Sequence, residues 1–262
     1  MTLLLLLGSG SLGANFAFDD MALSPYLATP RVSGVHDLPP AVVSRQFVPG
    51  CSVPGETVLR RDLVTMTFGC VAWAEDHTSL VANLRTIKGL VSPGIGWAPL
   101  WVVDRPTQRT MALSRGFPLR TNAIPYCTTV AEFDLSFERL PWWEDLSAQS
   151  ATIDEADTTG TITNDGDLSC WPVYTCTVGA APLAGGLTFT VNGKTYTYED
   201  ALDAADVLTV DTEACTTERN GTADMSGTAD DCEYPELATG ANAVTAKTAG
   251  FTLTATYRRR YE

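Results

Sequence analysis

From Phe251 to Arg258 apolar and polar positions alternate without a break: Phe251, Leu253, Ala255 and Tyr257 are set against Thr252, Thr254, Thr256 and Arg258. A period of two belongs to a strand with one face buried. Upstream, Pro235 to Val244 includes a Gly240–Asn242 step whose residues tolerate positive φ, so the end of the chain reads as turn, strand, turn, strand and predicts a hairpin closing a sheet. Asp62 to Trp73 alternates in the same way, with Val64, Met66, Phe68 and Cys70 on the face expected to be buried. The period then becomes helical. Leu80, Val81, Leu84, Ile87 and Val91 recur at that spacing behind Asp76 and Thr78 as N-cap candidates, which predicts a helix over about 77–89, stopped by Gly89 and packed on the sheet through Leu80, Leu84 and Ile87. Trp97–Val103, Ala112–Leu119 and Cys127–Leu140 read as further strands, giving a first half that is α+β with the sheet dominant.

After Pro141-Trp142-Trp143-Glu144-Asp145 the chain turns small, polar and acidic from Ala148 to Asp157, the composition of a linker. Short strands follow at Trp171–Val178, Leu187–Val191, Lys194–Tyr198 and Val207–Val210, punctuated by Gly185-Gly186 and by Asn192-Gly193, a strong hairpin signal. Their spacing predicts an antiparallel β-sandwich. Cys215 to Cys232 is rich in Asn, Gly, Thr, Asp and Ser and reads as a long polar loop. The opening Leu3–Leu7 run has no basic residue before Arg31 and ends at Gly8-Ser-Gly-Ser, so it is expected to be a strand entering a turn rather than a secretory signal.

Charge sharpens this division. The chain carries a net charge of −14, of which residues 1–150 hold 11 Lys+Arg against 13 Asp+Glu and the remainder 6 against 18. So acidic a second half repels phosphate backbones, which disfavours duplex DNA or RNA binding as a primary task.

Candidate chemistry is sparse, and neither catalytic, cofactor-binding nor metal-binding residues are expected. His36 and His77 have no nucleophile motif beside them, and Gly8-Ser-Gly-Ser-Leu-Gly13 has the spacing of a dinucleotide loop without the βαβ succession that gives it meaning. The seven cysteines show no C-x-x-C pair; they read as reduced thiols, with Cys170/Cys176 and Cys215/Cys232 the pairs that an oxidising medium could bridge. Asp154-Glu155 and Asp230-Asp231 could meet calcium but read as solvated loop charge. Trp142-Trp143 could stack on carbohydrate, or pack between units.

Taken in order, Val32-x-Gly34-x-x-Asp37-Leu-Pro39, Arg60-Arg61 before a long strand, a helix ending near Gly89, and Phe137-Glu-Arg-Leu-Pro-Trp-Trp143 resemble the belt domain of the distal tail proteins of long-tailed, non-contractile bacteriophages. Ile162-Thr-Asn164-x-Gly166, Trp171-Pro172-Val-Tyr, Phe189-Thr-Val-Asn-Gly193, Pro235-x-Leu237-x-x-Gly240-x-Asn242-x-Val244 and Tyr257-Arg258-x-Arg260-Tyr261 resemble the galectin-like domain of the same proteins. The resemblance implies a mainly β virion protein: a ring-forming belt domain over 1–147, a linker over 148–157 and a galectin-like sandwich over 158–262. It implies partners rather than substrates, with no cofactor and no membrane: further copies of itself in a closed ring of six, the tail tube protein, the tail tip protein and receptor-binding proteins, with genome DNA passing through the lumen unbound. Its place would be the phage tail tip, assembled in the host cytoplasm. A carbohydrate-binding module of a surface or secreted protein is the alternative. The three arginines from Arg258 to Arg260 are expected near the domain boundary, with at least one paired to a carboxylate in an exposed and therefore weak bridge.

Overall fold

The computed structural model describes residues 16–18, 21–22, 28–33, 41–46, 55–116 and 129–262. The Leu3–Leu7 run, the Gly8–Gly13 motif, His36, Cys51 and Cys127 lie outside them. The chain divides into two compact units, Met1–Trp143 and Glu144–Glu262.

In the first unit, β1 (Phe16–Phe18), β2 (Met21–Ala22), β3 (Ala28–Ser33), β4 (Ala41–Gln46), β5 (Gly55–Arg61) and β6 (Val64–Trp73) precede helix α1 (His77–Leu90). After the helix come β7 (Trp97–Val102), β8 (Gln108–Gly116), β9 (Val130–Arg139) and β10 (Trp143–Asp145), the last straddling the division. One antiparallel sheet runs β2-β1-β7-β8-β9-β6-β3, while β4 and β5 form a separate hairpin. As the alternation requires, Val64, Met66, Phe68, Cys70 and Ala72 of β6 are buried, and Phe133, Leu135 and Phe137 of β9 share their face.

Helix α1 starts where expected because Asp76 caps it, its Oδ1 accepting from the Ser79 backbone N–H at 2.8 Å. Those bonds to Ser79 hold the Asp76 carboxyl below the usual carboxylate range. The helix continues through Gly89 to Leu90, because Val91 is itself buried and donates its N–H to the Ile87 carbonyl at 3.0 Å. The buried stripe is Leu80, Ile87 and Val91, and Leu84 is only half-buried. Ile87→Ala is therefore expected to cost about 2–5 kcal/mol in chemical denaturation and Leu84→Ala clearly less; equal losses would displace the stripe.

The second unit holds β11 (Gln149–Ile153), β12 (Gly160–Asn164), β13 (Val173–Val178), β14 (Leu187–Val191), β15 (Lys194–Tyr198), β16 (Val207–Asp211), β17 (Thr216–Arg219), β18 (Thr222–Ala223), β19 (Gly240–Lys247), β20 (Phe251–Tyr257) and β21 (Arg260–Tyr261). Two antiparallel sheets, β11-β20-β13-β16-β17-β18 and β12-β19-β14-β15, enclose one core. Tyr174 of the first sheet meets Phe189 of the second with ring centroids 4.9 Å apart, and Phe189 stacks on Tyr196 at 5.3 Å.

Three expectations change here. The segment expected as a linker contains β11, which pairs residue for residue with β20 and buries Ile153. The Cys215–Cys232 segment is no simple loop: Asn220 and Gly221, with φ of 51° and 76°, make the same turn as Asn192 and Gly193, and β17 and β18 flank it. Nor is the end of the chain a hairpin. β19 pairs with β12 and β14, whereas β20 pairs with β11 and β13, so the chain passes between sheets at Thr248–Gly250, where Gly250 takes φ +99°.

Candidate interface sites

The C-terminal residues converge on one carboxylate. Asp145 donates its backbone N–H to the Arg259 carbonyl at 3.0 Å. Its Oδ2 accepts from Arg259 Nε at 2.7 Å and from Gln149 Nε2 at 3.2 Å, and its Oδ1 from the Tyr261 hydroxyl at 3.1 Å. Arg258 Nη1 donates to the carbonyls of Asp145, at 2.7 Å, and of Leu146. The hydrogen bond to Asp145 holds the Arg259 guanidinium above its ordinary pKa. Since Asp145 is 7% exposed, the expected weak surface bridge is instead a half-buried clamp on the first residues of the unit. The arginine run announces that a carboxylate is needed; nothing local to it names Asp145.

The short motifs of this half prove to be fastenings. Buried Asn164 donates Nδ2 to the Leu168 carbonyl at 3.0 Å and to that of Leu237 at 3.3 Å, and its Oδ1 accepts from the Gly166 N–H at 3.0 Å. A Cβ on Gly166 would come within 2.7 Å of the Arg260 carbonyl oxygen, so only glycine admits that strand. Asn242, equally buried, donates to the carbonyls of Ala238 and Gly240 at 2.9 Å each. The Tyr257 hydroxyl reaches the Thr163 carbonyl at 2.6 Å. Arg260, itself buried, stacks on the half-exposed Trp171 with its guanidinium carbon 4.1 Å from the ring centroid, and donates to Glu213 Oε1 at 3.3 Å.

Among the described residues of the first unit, Trp97 and Trp73 stand in solvent on the face of the sheet opposite the core. Trp97 of β7 faces Leu113 of β8, Leu113 faces Glu138 of β9, and Glu138 faces Thr65 of β6, one row across four strands. Trp97 is 45% exposed, Trp73 at the end of β6 49%, and Leu63 just before β6 38%. Arg115 bridges Glu138 of that row.

The remaining candidates are placed as follows. Trp143 is completely buried, with the guanidiniums of Arg105 and Arg139 each 5.0 Å from its ring, so no sugar can stack on it; Thr110 Oγ1 donates to the Trp142 carbonyl at 2.9 Å. His77 is the first residue of α1. Asp154, Glu155, Asp230 and Asp231 are exposed loop residues, and among the described residues no group of three or more His, Cys, Asp or Glu is placed to hold a metal ion. Cys70, Cys170, Cys176, Cys215 and Cys232 are free thiols. Burial pushes Cys70 and Cys170 up to about 12 and Cys176 upward as well, which removes the reactive thiolate. Peptide mapping after brief alkylation of the folded protein is expected to find Cys215 modified first among these five and the three buried thiols modified only on unfolding. Early labelling of Cys176 would contradict the core described above.

Comparison with known proteins follows the same division. Residues 165–261 match the family described as siphovirus-type tail component, C-terminal domain. The crystal structure of the SPP1 Dit protein, described as a paradigm of the hub adsorption apparatus in phages infecting Gram-positive bacteria, superposes with a TM-score of 0.76 at 12% identity, covering 93% of this chain and 98% of that one. A chain of the phage P2 baseplate in its activated conformation with Ca superposes with a TM-score of 0.50 at 6% identity, covering 90% of this chain and 91% of that one. No curated protein matches the sequence. Residues 165–261 are thus similar to the C-terminal domain of siphovirus-type tail components, and across both units the chain has the fold of SPP1 Dit.

Proposed function

We propose that this protein is a structural hub at the distal end of a bacteriophage tail, assembling as a closed ring of six copies that joins the tail tube to the tail tip. The observation that carries this reading is the match of residues 165–261 to the tail-component family, on a chain of which 93% follows the fold of SPP1 Dit. Such a part works by association and calls on no catalysis. The ring forms through the first unit, whose charge is nearly balanced, so that copies approach without strong repulsion, while the acidic second unit offers its surface to receptor-binding proteins. A ring requires two different surfaces that meet head to tail. One of them is the Trp73, Trp97 and Leu63 face, where large apolar side chains stand in solvent. Genome DNA slides through the lumen without specific contacts.

Negative-stain imaging and mass measurement of the full chain test this. A ring with an open centre is expected at micromolar concentration, and replacing both Trp73 and Trp97 by Glu is expected to give monomers whose melting temperature is little changed. A wild-type chain that stays monomeric would overturn the reading; a ring that survives the double replacement would move the interface elsewhere.

A further inference from the structure

We propose that the second unit binds a neutral saccharide in a depression beside Trp171. The depression has a volume of about 310 Å³ and is lined by Trp171, Val173, Glu213, Arg258, Arg260 and Glu144, among others. It opens at one end of the six-stranded sheet, where Val173 of β13 stands opposite Thr256 of β20 on the face turned away from the core. All these residues belong to the second unit, so the site is independent of the ring and of the tail-hub reading.

The composition of the lining selects the ligand. Trp171 is 37% exposed and is the large aromatic that the second unit leaves most open, while Arg260 holds it by stacking and is in turn engaged by Glu213. An indole fixed in this way is a plate that loses little freedom when something lies on it. Around the plate stand carboxylates, which only accept hydrogen bonds, and guanidiniums, which only donate them. A hydroxyl needs both partners, one for its proton and one for its oxygen, whereas the C–H face of a pyranose needs an apolar plate. Other chemistries fit less well. Glu144 and Glu213 oppose an anion, Arg258 and Arg260 oppose a cation, and a lining as polar as it is apolar gives a greasy peptide segment too little to bury. A volume near the lower end of the range for small-molecule sites suits one or two sugar rings.

The test is saturation-transfer NMR on the full chain with glucose, galactose, N-acetylglucosamine and rhamnose in turn at millimolar concentration, with glucuronate beside them. Transfer to the ring protons of at least one neutral sugar is expected, weakened about tenfold or more by Trp171→Ala. Should that variant lose its melting transition, Glu213→Ala decides, because this side chain is 62% exposed and can be removed without opening the core. It is expected to weaken the same sugar several-fold. No transfer to any neutral sugar, a response confined to glucuronate, or a response unchanged in the folded variants would each overturn the proposal.

Discussion

Removal of residues 251–262 is expected to unfold the second unit outright. The lost segment includes β20, which lies between β11 and β13 and is hydrogen-bonded to both, so its removal leaves two strands with open edges in the middle of a sheet. Phe251, Leu253 and Ala255 are completely buried, and Tyr257 nearly so. Burying a side chain such as Phe or Leu contributes about 1.5–3 kcal/mol, whereas a whole domain is stable by only about 5–15 kcal/mol. Two such side chains together with two ladders exceed what the unit can lose. Limited proteolysis measures the outcome: rapid digestion across residues 144–250 is expected in the shortened chain. A protease-resistant fragment covering those residues would mean that the last strand is an appendage, and the sandwich described here would be wrong.

Asp145→Ala should produce the largest loss of any single polar substitution in that unit, roughly 1.5–3 kcal/mol, which is the range for hydrogen bonds to a charged group. The replacement strips Arg259, Tyr261 and Gln149 of a shared acceptor at once. Arg259→Ala should cost less. Its side chain is 29% exposed, so solvent already screens part of the interaction, and Asp145 keeps its bonds to Tyr261 and Gln149. A double-mutant cycle in urea isolates the pair, and a coupling of at least about 0.5 kcal/mol is expected for groups in direct contact. If Asp145→Ala unfolds within error of the wild type, the carboxylate does not organise this end of the unit.

What could be read from the sequence follows burial. β6, β14, β15 and β20 were legible because one face of each is buried and the other is not, which imprints a period of two. β11 was not. Of its residues only Ile153 is buried, so Gln149-Ser-Ala-Thr shows too little contrast to be told from a linker. The Asn220-Gly221 turn carried the same signal as Asn192-Gly193 but was masked by polar flanks, since β17 and β18 lie at the edge of their sheet with little to bury. Alternation also cannot say which sheet a strand joins, so β19 and β20 read as a hairpin although they are not paired. The candidate site was legible in part. The arginine run demanded an acid, yet Asp145 lies 114 residues from Arg259, and a choice made across that distance leaves no local trace. Trp171 lies in the Trp171-Pro172-Val-Tyr motif, but its stacking partner Arg260 reaches it only once the sandwich has closed.

The passage of the chain from one sheet to the other at Thr248–Gly250 bears on how the protein is made. β19 occupies an interior place in the four-stranded sheet and β20 an interior place in the six-stranded one, so neither sheet is complete until both have arrived. Since β11, near the start of the unit, has β20 as its neighbour, the pairing closes a loop that spans nearly the whole unit. Contacts so distant in sequence are slow to form, because the entropy of closure is lost before the contact returns anything. During synthesis the second unit therefore stays open until β20 has left the ribosome, and a ribosome that stalls anywhere before Phe251 releases a chain whose second unit is unfolded.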